Sequence, residues 1–587
     1  MPRFIPLLLV LMLPALASDT DTDTDTDQSL ADLFKEYLAG EFQRHPSYAT
    51  AQGNREHDDR LDDLSPTARK RDVAEAKRWK QKLEQFDTAK LTLAGKLDHR
   101  IWLHALNSQL ELQSLGLDPF TYDPRVFGTY VSDVVFNQLT QSTLSRERTV
   151  ENVAKRVTYI PVVVDAAMDK SDPELLSKCP KVLTEIAIKR NLGAIAFYEK
   201  EIFELAKENP TTSPLTKPAK EAVVALKKYQ SFLEKDLLPR STGDWRIGKK
   251  AFADKLKLEL DAGYTADEVI ALAESEAERV EREMYYVAKQ LWSKLFPGKA
   301  LPPDDETGRR DTIRTVLDKL GEDHGKPETI VTDARQTVDK IKKFISEKKI
   351  LTLPDPDRCQ VIEMPEFQRG FSAAYLNPAP PLDPKANSLY AVSPPPADWP
   401  EARRIAFQKE YNRAMLQVLT IHEAYPGHYV QLEYANRHPS LIRKVLYSGV
   451  YAEGWAVYTE QMMLDQGYGD GDLSLRLHQL KFYLRAVVNA ILDHKMHCTN
   501  MTDDEALKLL VGRGFQTEGE AVGKIARAKQ SSCQLSTYFI GRMAFYTLRQ
   551  KVQRQRGEAF DLGKYHEEVL NQGCISVKYL PELFGVK

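Results

Sequence analysis

The chain has 587 residues, with 81 Lys and Arg against 84 Asp and Glu, a formal net charge of −3. That balance, without a strongly basic stripe, excludes a general nucleic-acid footprint, so no nucleic-acid partner is expected. The length suffices for a large buried core, so the five scattered Cys, which lack zinc-finger spacing, are not needed as a disulfide framework.

The first element is an apolar run, Phe4 to Leu13, followed by the small-x-small triplet Ala15-Leu16-Ala17. Residues 1–17 read as a secretory signal peptide, too short to span a bilayer, and an exported protein of periplasm or medium is expected. No Cys follows the run, so a lipid anchor is not expected there. No later stretch reaches about 18 apolar residues, so no membrane span is expected. Residues 18–28, where Asp alternates with Thr, read as a solvated, self-repelling linker.

Long runs with helical spacing then cover 29–56, 65–115, 148–207, 216–239 and 264–295. Pro and Gly punctuate them near 209–218, 297–303 and 377–399. The reading is a mainly α protein: a large helical body of two lobes, an N-terminal region of 29–350 and a half of 351–587 that carries the chemistry. Within the second half, 359–367 and 388–393 read as short strands around a Pro-rich loop starting at Asn377.

Six of the twelve His lie in 422–497. Residues 422–428 are His-Glu-Ala-Tyr-Pro-Gly-His, and Glu453 follows in Glu-Gly-Trp-Ala. Two imidazoles and a carboxylate are what a catalytic zinc takes from a protein, leaving a fourth position for water. The Glu beside the first His is placed to accept a proton from that water.

The spacing needs a distortion. Two His six residues apart fall about 120° apart on an ideal helix. Pro426 offers no N–H to the carbonyl of His422, and Gly427 permits unusual backbone angles, so a bulge over 424–427 is expected to swing His428 back. Tyr411, Met415, Val418 and Leu419 form an apolar stripe that His422 continues. Downstream, Leu446, Val450, Glu453, Val457, Glu460 and Leu464 share one helical face. Buried carboxylates are normally paired, protonated or metal-bound. Glu453 fits a third ligand, and Glu460 either an acceptor that holds a ligand His from behind or half of a salt bridge.

The combined pattern, His422-Glu423-x-x-Pro426-Gly427-His428-x-x-Gln431 and Glu453-Gly454-Trp455-Ala456-x-Tyr458-x-Glu460, resembles the family known as domain of unknown function 885. Its members resemble gluzincin-type zinc peptidases, which are largely helical and often secreted. The resemblance implies His422, His428 and Glu453 as ligands of one zinc ion and Glu423 as general base. It also implies a small sheet beside the zinc cleft, in which one of the two short strands, at the edge, takes the substrate backbone by strand addition; the alternative is a small structural hairpin. Asp493-His494-Lys495-Met496-His497 is similar to a further family segment, although Lys495 stands where Gly is usual. Gln534-x-x-x-Tyr538-x-x-Gly541 is similar to another, with Ser532-Cys533 in place of Pro-Gly. His497 and Tyr538 are therefore candidate donors to the oxyanion formed on attack at a carbonyl, with Asp493 orienting His497.

The expected activity is hydrolysis of a peptide substrate by metal-activated water. The competing readings are a zinc hydrolase of a non-peptide amide and a non-catalytic secreted zinc-binding protein. A carboxypeptidase would need a cation for the substrate terminus, and Arg527 or Arg542 are the candidates.

Overall fold

A computed structural model describes residues 20–168, 177–364 and 373–586. The signal peptide and the end of the strand expected at 359–367 lie outside them. The fold is mainly α, with one three-stranded sheet among the described residues. No described helix is long and apolar enough to cross a membrane.

Helix α1 (Thr20–Arg44) takes in most of the Asp-Thr run, which was expected as a linker. Its side of the boundary is tied down: Asp27 accepts from the Thr92 backbone N–H and hydroxyl. Thr92 in turn caps α2 (Leu93–Ser114). Leu30, Phe34, Leu38 and Phe42 then bury one face of α1 against Trp79 and Trp102. Docking of that face keeps a charged segment helical that repulsion alone would extend.

The buried side chains form three clusters among the described residues. One, between Leu61 and Leu237, is a helical lobe of its own. The second is the α1 and α2 cluster, which reaches Ile442 and Val445. The largest joins α3 (Ala266–Leu295) and α4 (Ile330–Lys348) to the whole C-terminal half. The lobe boundary expected at 350 therefore does not coincide with the packing. Helices that precede it share the core of the half that follows.

Strands β1 (Cys359–Glu363), β2 (Ala374–Asn377) and β3 (Ser388–Val392) form the sheet, in the order β1-β3-β2. β1 pairs parallel with β3, and β2 antiparallel, with Leu376 opposite Tyr390. The sheet is thus not a simple hairpin of the two expected strands. The central strand β3 is buried throughout, and the Tyr390 hydroxyl bonds Thr420 at 3.0 Å, fastening the sheet to the helix that carries the first motif histidine.

Candidate metal centre

Helix α5 (Arg413–Glu423) begins where Asn412 accepts from the Ala414 and Met415 N–H groups, so Tyr411 lies outside it. Met415, Leu416, Val418, Leu419 and Ile421 bury it. The helix ends at Glu423, and a new one, α6 (His428–Asn436), starts at His428. The chain breaks more sharply than the expected bulge. The turn is tight: Gly427 N–H donates to Ile421 O at 3.0 Å, and a Cβ on Gly427 would stand 1.9 Å from His422 O. Only Gly fits there. Trp455 Nε1–H donates to Pro426 O at 2.8 Å and pins the turn to α7 (Gly449–Asp465).

The turn brings the two imidazoles together, with ring centres 4.8 Å apart and planes at 88°. Glu453, on α7, faces both. Its Oε2 lies 3.7 Å from His422 Nε2 and 3.4 Å from His428 Nε2. All three donor atoms fall within 4.8 Å of one another. Donors each ~2.0–2.1 Å from a tetrahedral ion stand roughly 3.4 Å apart, so these residues fit one divalent ion. Among the described residues Glu453 Oε2 is buried and without a hydrogen-bond partner, a cost that a cation at this point would remove. On the far side, His422 Nδ1–H donates to Glu460 Oε1 at 2.7 Å. That bond commits Nδ1 and leaves Nε2 for a metal.

Residues 46–583 match the family described as bacterial protein of unknown function, DUF885. The chain belongs to this family. Among solved structures, this DUF885 protein is similar to a candidate lipoprotein of unknown function from Shewanella oneidensis. The two are 28% identical with a TM-score of 0.78, over 95% of this chain and 99% of that one. It also shares its fold with a candidate lipoprotein from Colwellia psychrerythraea, at 18% identity and a TM-score of 0.79, over 95% of this chain and 98% of that one. No curated protein matches it.

Glu423 sits beside these three candidate ligands, and β2 holds it. Leu376 N–H, turned away from β3, donates to Glu423 Oε2 at 3.0 Å. Burial raises the Glu423 carboxyl above its ordinary range, and Glu453 adds to this, while His422, His428 and the Leu376 N–H oppose it. Burial also raises Glu460, to about 7. Burial opposes a charged His422, but Glu453, Glu460 and Glu423 overcome it and lift the imidazole to about 10. Burial likewise works against a charged Glu453, yet the two histidines hold it well below the usual carboxylate range.

Tyr538 arrives through a helix crossing. Gly454 on α7 meets Gly541 on α10 (Thr537–Arg556) backbone to backbone, and a Cβ on Gly454 would lie 2.4 Å from Gly541 Cα. This contact sets Tyr538, one turn before Gly541, within electrostatic reach of Glu453. Its hydroxyl accepts from Arg527 at 3.1 Å and from Gln534 at 3.4 Å. Burial, then Glu453, pushes the phenol up to about 12, so it stays protonated at neutral pH.

His497 and Asp493 have other employment. His497 Nε2–H is shared between the carbonyls of Ala528 and Ser531, at 2.9 and 3.0 Å. The ring packs on Phe252 and Trp245, and burial lowers it to about 4. Asp493 does not orient it: the closest approach is 3.9 Å. Asp493 instead accepts from Cys533 N–H at 3.1 Å and the Ser536 hydroxyl at 3.4 Å. It thereby braces the entry to α10, where Cys533 adopts a φ of 70°. The expected oxyanion role of His497 and orienting role of Asp493 are corrected to structural ones.

Tyr447 was not legible in the motif. It is 60% exposed, yet desolvation first, then Cys574, Glu453 and Tyr538, push its phenol well above the ordinary value.

Proposed function

We propose that this DUF885 protein is an exported, metal-dependent peptidase, with zinc held by His422, His428 and Glu453. The observation that carries the reading is a three-donor cluster beside a carboxylate, Glu423, that no ligand position needs. A zinc ion held there would polarise a carbonyl and lower the pKa of water. Glu423, raised by burial, accepts the proton of the attacking water and returns it to the leaving amine. Leu376 N–H keeps its carboxylate aimed across the cleft. Tyr538, protonated at neutral pH, donates to the oxyanion. Strand β2, whose outer edge turns Leu376 N–H toward the site, offers a backbone ladder to an extended peptide. Description of a similar protein as a candidate lipoprotein agrees with export.

The test is cleavage mapping by mass spectrometry on a mixed peptide library. Zinc-loaded wild type should cut, and Glu423→Gln should keep its zinc while losing about 10²–10⁴-fold in rate. Equal cutting by both proteins would end the general-base assignment. Absence of cuts by folded, zinc-loaded wild type would end the peptidase assignment.

A further inference from the structure

Helix α9 (Glu518–Gln530) runs behind Tyr538 and carries an unusual lysine. Lys524 is only 7% exposed, and among the described residues it makes no hydrogen bond or ion pair. An ammonium on so largely buried a side chain is costly without a partner, and folded proteins rarely keep one. Its surroundings deepen the problem. Arg527 lies one turn further along the same helix; among the described residues it too has no carboxylate partner, and its guanidinium bonds Gln534, at 2.8 Å, and the Tyr538 hydroxyl. Arg485 stands opposite, from α8 (Leu473–Cys498), and Glu520 pairs with it at 3.0 Å. Three cations thus share one anion of their own. The charge that Lys524 also feels is Glu453, in the metal centre itself.

We infer that Lys524 and Arg527 form an anchor for a carboxylate of the substrate, set beyond Tyr538 from the metal centre. Two donors with unspent charge, one buried and one at the rim, are what a desolvated carboxylate needs for charge-assisted bonds. Burial, then repulsion from Arg485 and Arg527, lowers the Lys524 ammonium well below its ordinary value, and an arriving anion would relieve both effects. Arg542, the other cation considered for this task, is spent elsewhere: it bonds Tyr483 at 2.8 Å and Gln461 at 2.6 Å inside the core. The inference rests on the peptidase reading for the nature of its substrate. A peptide offers such a carboxylate at its C-terminus or on an acidic side chain. An anchor for the terminus would make the enzyme act near the carboxyl end.

The test uses the full zinc-loaded chain bearing Glu423→Gln, so that bound peptides stay intact, with calorimetric titration of three probes. These are N-acetyl-trialanine as the free acid, the same peptide as its amide, and N-acetyl-Ala-Ala-Glu amide. The free acid should bind at least tenfold more tightly than its amide, and Lys524→Met should erase that preference. Lys524→Arg should retain most of it, and Arg527→Gln should weaken it in part. Equal tightness of the Glu amide would assign the anchor to an acidic side chain instead of the terminus. Lys524→Met should melt no lower than the parent, because it removes an unpaired buried charge; should it fail to fold, Arg527→Gln reads the same preference. Equal binding of all three probes, or a preference untouched by Lys524→Met and Arg527→Gln, would overturn the anchor. Cleavage by wild type is scored separately. Acid preference without any cleavage sinks the peptidase and leaves the anchor, whereas cleavage without acid preference does the reverse.

Discussion

His422 and His497 are both buried on helices, and each lies near a carboxylate, Glu460 in one case and Asp493 in the other. Glu460 takes Nδ1 of its histidine, so Nε2 is left pointing at Glu453 and His428. Around His497 the carboxylate turns away to a backbone N–H, and two carbonyls claim Nε2. Carboxylates lift the first ring to about 10, whereas burial lowers the second to about 4. A histidine is fit for a metal when its second nitrogen is already engaged and its first faces other donors. Proximity to an acid on the same helix is not enough.

The widest separation between the two should appear in metal content. Ala at His422 or Glu453 should abolish stoichiometric zinc and with it turnover, while His497→Ala keeps the metal. Plasma emission spectrometry of the purified variants decides this, and zinc-replete His422→Ala would break the comparison outright. Gly454→Ala comes next. The added Cβ forces α7 off α10, so a destabilisation of about 1–3 kcal/mol is expected in urea titrations, together with loss of activity as Tyr538 moves from Glu453. Glu460→Gln keeps the shape but weakens the hold on His422, and zinc affinity should fall about 10–100-fold in a chelator competition. An unchanged affinity would mean that Glu460 serves the core alone.

A further contrast lies in the pH dependence of stability. His497 has a folded pKa below its unfolded value, so below about 6.5 the unfolded chain binds the extra proton. Its contribution is lost as pH falls from there toward about 4, and on the order of 3 kcal/mol is at stake. His497→Gln should flatten this acid limb. His422 has the opposite sign. Its folded value is raised, so in chelator-treated protein its contribution is whole below about 6.5 and lost as pH rises toward about 10. Melting curves that fall on the alkaline side for metal-free wild type, but not for His422→Gln, would sharpen the contrast. Identical alkaline limbs would remove it.

Much of the centre was legible because its members are close in sequence. His422, Glu423 and His428 lie in seven residues, and the Pro-Gly pair announces a break between the two rings. Periodicity placed Glu453 and Glu460 on one helical face, and α7 does carry both. Less was legible where two distant segments meet. Strand β2 is four residues at the head of a Pro-rich loop, too short for a pattern, and its register comes from β3. Nothing local shows that Leu376 N–H will face Glu423. The i, i+4 spacing of Asp493 and His497 allowed a bond, but Cys533 and Ser536, some forty residues later, took the carboxylate instead. The Asp-Thr run looked like a linker by charge, and docking of the apolar face beyond it made it helix.

The sequence by itself determined the residue types of the candidate metal centre, the mainly helical class and the break between His422 and His428. Those follow from covalent facts: side-chain chemistry, the missing N–H of Pro426 and the missing Cβ of Gly427. Only the tertiary structure decided which carboxylate serves which histidine, that β2 holds Glu423, and that Lys524 is buried with no partner among the described residues. Each of these depends on a hydrogen bond, or the lack of one, between groups far apart along the chain, and such bonds exist only once the helices have packed.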